Sequence, residues 1–268
     1  MTETKPAVPP RLSATILLIR GQGPLEVLMV KRHHEIDFAS GALVFPGGKA
    51  CEDDRSPDWG DLYNGQETGD RRVAKIAAIR ELFEEAGILL ARERASGAPV
   101  SKAVVDALQP VRSAVESGET HFSDVVKRAE LALDPGALVH FGHWITPEFM
   151  PKRFDTHFYL AAAPDGQVAE QDGRETTEAL WLSPAAALDM EKAGEATIIF
   201  PTRMNLGRLA LCRSTGEALE KFAGEPVTTV LPKIEKDETG SPFLSIPDIE
   251  GYGQTREPLG KIANVIKR

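Results

Sequence analysis

The stretch "AAIRELFEEAGILL" (77–90) constrains this chain most, because it sets Glu81, Glu84 and Glu85 on one side of one helix. At about 100° per residue, Glu84 sits about 60° from Glu81 in one direction and Glu85 about 40° in the other. The helical pattern runs from near Arg71 to Ala86, and Gly87 supplies a C-terminal stop. The positions four residues beyond the acids hold Glu85, Ile88 and Leu89, not the Lys or Arg that would balance them. The acids also crowd the end of the helix where the dipole disfavours negative charge. A solvated acidic face is the plain alternative. A bound cation offsets both costs, and clustered carboxylates suit Mg²⁺ or Mn²⁺.

About thirty positions upstream, "ALVFPGG" (42–48) reads as a strand running into a glycine loop. Without side chains in the way, that backbone can approach a ligand closely. A strand, a glycine loop and an acid-bearing helix together make a site for metal-bound phosphates. Around this centre, 13–20 and 25–32 read as strands joined by the "GQGP" turn. Residues 51–70 read as a loop, and 98–133 as helices divided at Pro110. Strand character returns at 138–147, 153–164 and 177–184. Ser183-Pro184 has the form of an N-cap and first helical position, and 201–224 is a last helical region.

The remaining features limit the function classes. A net charge of −9 argues against a nucleic-acid binder, which must neutralise phosphates. A small phosphorylated substrate held through metal ions is compatible with it. No apolar run approaches the roughly 18 residues of a membrane span, and "MTETKPAVPPRL" lacks the apolar stretch of an export signal. Two cysteines, Cys51 and Cys212, read as reduced thiols, so a cytoplasmic protein is expected. His33 and His34 are adjacent on a strand and point to opposite faces, which disfavours chelation of one ion. Trp59 is expected to anchor the 51–70 loop by burying its ring, with stacking on an adenine as the alternative. Segment 98–133 fits a cap over the cleft, a homodimer interface or plain core packing.

The residues resemble the Nudix hydrolases, whose box reads G-x5-E-x7-R-E-U-x-E-E-x-G-U with U apolar. Arg80, Glu81, Leu82, Glu84, Glu85, Gly87 and Ile88 match its second half in full. The first half begins at Gly48 and has Asp54 where the box has Glu. Twenty-five residues separate Asp54 from Arg80 where the box has seven, an insertion of 18. Such an interruption resembles the peroxisomal coenzyme A diphosphatase branch. Leu28, Arg32, Gly41 and "FPGG" fit that branch's pattern, while Met29, Val30, His33 and Asp37 depart from it.

The resemblance implies an α/β fold, a Nudix α/β/α sandwich with a central mixed sheet. A single domain is expected over 1–268, with its core at 12–97 and 134–224, a helical insertion at 98–133 and a C-terminal extension at 225–268. The implied activity is Mg²⁺- or Mn²⁺-dependent hydrolysis of a diphosphate linkage, with CoA or acyl-CoA as the leading substrate. Nucleotide sugars, ADP-ribose and dinucleotides are the alternatives within the class, and a non-catalytic ligand-sensing module is the alternative outside it. Glu81, Glu84 and Glu85, the carbonyl of Gly48, and Asp54 are the implied metal ligands. Arg80 would orient the glutamates. Glu81, Glu175 and Glu178 are the candidate bases. Lys31, Arg32, Phe45, Gly47 and Arg153 are the candidate substrate contacts, with Lys152 beside them.

Overall fold

The computed structural model describes residues 8–33, 41–172, 174, 176–253 and 255–260. His34, Asp37 and Glu175 lie outside them. The first half of the chain forms β1 (Arg11–Arg20), β2 (Glu26–Arg32), β3 (Leu43–Val44), β4 (Gly47–Lys49), α1 (Gly69–Ala86), β5 (Ala91–Glu93), α2 (Lys102–Leu108), α3 (Arg112–Glu116), α4 (Phe122–Arg128) and β6 (Leu131–Leu133). The second half forms β7 (Val139–Ile145), β8 (Phe154–Ala162), β9 (Thr176–Leu182), α5 (Pro184–Ala193), α6 (Phe200–Leu209), α7 (Thr215–Gly224), β10 (Thr229–Val230), β11 (Lys233–Lys236), β12 (Pro242–Ser245) and β13 (Arg256–Pro258).

Among the described residues, eight strands make one mixed sheet. Its order is β10-β7-β8-β1-β2-β3, with β4 also paired to β1 and β9 to β2. β1 runs parallel to β8, while β2, β3, β4 and β9 enter antiparallel. The β1–β2 hairpin pairs at its closed end, at Ile19↔Val27 and Arg20↔Glu26. Towards the open end the two strands part, and the 43–49 segment takes their place, with β3 on β2 and β4 on β1. Strand pairing thus fixes the glycine loop inside the sheet.

Alternation along β1 divides the core. Ile16 and Leu18 join the cluster that contains α1, and Leu17 and Ile19 join the cluster that contains α6 and α7. The result is the expected α/β/α sandwich. Segment 98–133 packs into the α1 cluster through Val105, Val115, Phe122 and Val126, so α1 is covered on its outer side as well. A helix enclosed on two sides is apolar around most of its circumference, as Val73, Ala74, Ile76, Ala77, Ala78, Ile79, Leu82 and Phe83 show here.

Two local readings differ from the expectation. Residues 131–133 form a strand, paired with β5, where the end of the second helix was expected. A run as short as "LAL" carries no periodicity that separates strand from buried helix. The last helical region is two helices, broken where Ser214 caps α7 through the amide of Glu217. Pro110 divides α2 from α3 as expected, within a 3₁₀ turn at Gln109–Val111. Ser183 caps α5, with Pro184 in its first turn.

The 51–70 insertion is stapled to the body by Trp59. Its ring is fully buried, and its Nε1 donates to the Asp53 carbonyl at 2.7 Å. The ring lies 5.7 Å from Phe122, which lies 5.7 Å from Phe83 of α1. Burying a ring of this size contributes about 1.5–3 kcal/mol. With both faces enclosed, Trp59 offers none to an adenine.

Candidate active site

α1 carries the acids, and its C-terminal end is held by groups from elsewhere in the chain. Gly87 adopts the left-handed conformation, φ 68°, and donates to the Phe83 carbonyl at 2.9 Å. The next carbonyls have no intrahelical donors left. Arg112 of α3 donates to the Glu84 carbonyl at 2.8 and 3.2 Å. Thr176 donates through its hydroxyl to the Glu85 carbonyl at 3.3 Å, and the amide of Glu170 to the Ala86 carbonyl at 3.0 Å. Gln109 donates to Gly87. A cation at a helix C-terminus offsets the dipole there, so Arg112 eases the placement of acids at that end.

Arg80 is the hub of the site. Its side chain is 7% exposed, and every N–H of its guanidinium is used. Nε and Nη2 grip Asp54 at 2.9 and 3.0 Å. Nη1 serves Glu81 at 2.9 Å and Glu84 at 3.0 Å. Nη2 also donates to the Lys49 carbonyl at 2.8 Å. Asp54 is 1% exposed, and its Oδ2 accepts in addition from the amide of Cys51 at 2.8 Å. Both Asp54 oxygens are thus committed to holding Arg80 and the loop. The bidentate pair spans the insertion, so the two halves of the interrupted box meet in space.

The glycine loop completes the arrangement. The amide of Gly47 donates to Glu85 Oε2 at 2.9 Å. Gly48 lies against Glu81: a Cβ added there would stand 2.4–2.5 Å from the carboxylate atoms. The Gly48 carbonyl accepts from the Ser13 hydroxyl at 2.6 Å, and Gly48 pairs with Ala14 in the sheet. Gly48→Ala is therefore expected to displace Glu81 with little change in melting temperature, and to lower turnover about 10- to 100-fold. Steady-state kinetics beside a thermal melt decide it, and unchanged turnover would refute the contact.

The donor set fits a hard divalent cation. Glu81, Glu84 and Glu85 are all buried, and buried carboxylates demand compensating charge. Burial pushes the Glu84 carboxyl up to about 8, although Arg80 opposes the shift and Glu81 adds to it. One guanidinium does not keep the cluster fully ionised. Oxygen donors short of positive charge are what Mg²⁺ or Mn²⁺ takes.

The other sequence candidates divide by sheet face. Arg32 alternates with Lys31 onto the side of Leu28, which packs in the α1 cluster, and lies opposite Thr176, which touches Glu85, just past a shift in the β2–β9 register. Its Nε is buried with no hydrogen-bond partner. Lys31 follows Val27 and Met29 onto the other side, where it meets Glu178 at 3.0 Å. The two line a small pocket of about 150 Å³ with Leu43, Met190 and Thr197. The structure does not bring Lys31 and Glu178 to the glutamates, because adjacent strand residues face opposite ways. Phe45 is 2% exposed in the α6 cluster and serves the core. Arg153 is buried and donates to the carbonyls of Val8 and Thr146, tying the start of β1 to the β7–β8 turn. Arg112, which sequence reading passed over, had no local signal: only its distance from acids in the sequence was visible. Among the described residues no helix is long and apolar enough to cross a membrane.

The family model of the NUDT19 Nudix domain matches residues 69–209, from the first residue of α1 to the last of α6. Acyl-coenzyme A diphosphatase NUDT19 of Homo sapiens is 28% identical over 100% of this chain and 80% of its own length. The Xenopus laevis protein of that name is 27% identical over 86% of this chain and 74% of its own. Putative nudix hydrolase 7 of Caenorhabditis elegans is 26% identical over 81% of this chain and 69% of its own. Among solved structures, a NUDIX hydrolase from Alicyclobacillus acidocaldarius superposes with a TM-score of 0.69 at 27% identity, over 82% of this chain and 99% of that one.

Proposed function

The chain belongs to the NUDT19 Nudix domain family and is a Nudix pyrophosphohydrolase, and from that premise we propose that it cleaves the diphosphate of CoA or acyl-CoA. The products would be 4′-phosphopantetheine, or its acyl form, and adenosine 3′,5′-bisphosphate. The observation that carries this reading is the similarity to an acyl-CoA diphosphatase along the whole chain.

In this reading Glu81, Glu84 and Glu85 hold Mg²⁺ or Mn²⁺, with the Gly48 carbonyl as a further donor. When bound, such an ion polarises phosphoryl oxygens and makes water a better nucleophile at neutral pH. Arg80 orients Glu81 and Glu84, and Asp54 holds Arg80 in place. The amide of Gly47 fixes the rotamer of Glu85. Glu81 is the candidate base within the cluster, Glu178 being paired with Lys31 on the other side of the sheet and Glu175 lying outside the described residues. Arg32 offers its unpartnered Nε to a substrate phosphate oxygen.

A substrate panel with Mg²⁺ or Mn²⁺ tests the reading: CoA, acyl-CoAs, ADP-ribose, NADH, diadenosine polyphosphates and nucleotide sugars. CoA or an acyl-CoA is expected to have the highest kcat/KM. Turnover of ADP-ribose with CoA untouched would overturn the substrate. Tight binding without any turnover would favour a sensing module.

A further inference from the structure

Three histidines and an aspartate gather on the sheet at the far end of α1, beyond Arg71. Arg71 and Glu84 are thirteen positions apart on the helix, about 20 Å at 1.5 Å per residue. His143 and His157 are direct cross-strand partners on β7 and β8. Asp155 lies two residues before His157 and so shares its face. His140 is three residues before His143, and regular alternation would turn it to the opposite side. The irregularity between His140 and Gly142 corrects this, and its ring stands 5.1 Å from His157 and 6.5 Å from His143.

The geometry points to a second metal site, formed by His143, Asp155 and His157, that takes a transition-metal ion of the zinc class. One ligand atom from each of the three lies within 4.8 Å of the others. Donors at about 2.0–2.1 Å from a tetrahedral ion stand roughly 3.4 Å apart, so small side-chain adjustments close the set. The rings of His143 and His157 stack at 4.3 Å and 7°, which aligns their edges. Imidazole donors select zinc-class ions over Mg²⁺, which sets this site apart from the carboxylates of α1.

The outer hydrogen bonds are those a ligating histidine needs. His157 Nδ1 is 3.0 Å from His140 Nε2, which leaves its Nε2 for an ion. His143 Nδ1 is 2.8 Å from the Thr229 hydroxyl, while its Nε2 is 2.5 Å from Asp155 Oδ1. In the tautomer whose Nδ1–H donates to Thr229, Nε2 is free to ligate, and an ion would replace the proton shared with Asp155 as the two groups part from 2.5 Å to the spacing of two ligands. Partners on the second nitrogen fix tautomer and ring orientation. The group borders a cavity of about 620 Å³ walled by Arg71, Phe222 and Thr229, so a fourth position opens to solvent. Thr229 sits on β10, paired in parallel with His143 at the sheet edge, and an ion here would clamp that edge.

Full-length protein stripped by chelator and then held in excess Mg²⁺ is titrated with Zn²⁺ by calorimetry and with Co²⁺ by visible absorption. One ion per chain is expected, with the intense absorption of tetrahedral Co²⁺. His157→Gln and Asp155→Asn, each checked by circular dichroism and thermal melting, should weaken Zn²⁺ more than about 100-fold, and His140→Phe about 10- to 100-fold. Glu84→Gln should leave Zn²⁺ affinity unchanged, so this site is separable from the catalytic reading. No binding by the wild-type chain at millimolar Zn²⁺ overturns the proposal. So does undiminished affinity in folded His157→Gln and Asp155→Asn, or loss of the ion in Glu84→Gln.

Discussion

Glu84→Gln and Glu85→Gln are each expected to lower metal-dependent turnover by about two orders of magnitude or more, while the fold persists. Each removes one carboxylate donor from the proposed metal site, and electrostatic groups of this kind are worth about 10²–10³ in rate. The stability readout separates catalysis from structure. The Glu84 carboxyl is raised above its unfolded value of 4.5 to about 8. A carboxyl raised in this way is ionised in the unfolded chain and resists ionisation in the folded one. Its stabilising contribution is therefore present at low pH and lost as pH rises from about 4.5 to about 8. Glutamine mimics the neutral form at every pH. Metal-free Glu84→Gln protein should thus melt at or above the wild-type temperature at pH 8, and the difference should shrink towards pH 4. A variant with wild-type turnover would sink the site. A variant that loses activity only because it unfolds would reduce Glu84 to a structural role.

Arg80→Leu is expected to have the opposite profile, with both stability and activity lost. Arg80 holds Asp54 with two hydrogen bonds in a place where Asp54 is 1% exposed. Removing one partner of a buried ion pair costs about 3–5 kcal/mol, because the other charge is stranded. Here the stranded charge has neighbours of the same sign at Glu81 and Glu84. Arg80→Lys should rescue little, since an ammonium cannot serve Asp54, Glu81, Glu84 and the Lys49 carbonyl together. Adding Asp54→Asn to Arg80→Leu should restore part of the stability and none of the turnover. Denaturant unfolding of the four proteins measures this directly. Equal midpoints for wild type and Arg80→Leu would show that the hub carries no structural weight.

Much of the frame could be read from local pattern. The helix with its acids, its Gly87 stop, the hairpin at "GQGP" and the Ser183-Pro184 start all depend on residues within a few positions of one another. Periodicity and capping chemistry report such short-range geometry. Even the interruption of the box was visible, because both halves keep their own spacing. What spacing could not say was that Asp54 and Arg80 close across it.

Other assignments changed because they depend on which face a residue joins or what lies across the sheet. Lys31 and Arg32 are neighbours in sequence, yet only Arg32 turns towards α1. Phe45 and Arg153 have the residue types of substrate contacts, but one fills the core and the other spends its donors on backbone carbonyls. The histidine face needs a β-bulge that no local signal announces.

The sequence by itself determined most of the elements, the three acids on one helix face and the kinship that interprets them. These follow from short-range backbone geometry and residue chemistry. Only the tertiary structure decided how α1 tolerates acids at its C-terminal end. Arg112, Thr176, Gln109 and Glu170 bring donors to its last carbonyls from 22 to 91 positions away. Such partners are chosen by packing across the core, and no window along the chain contains them.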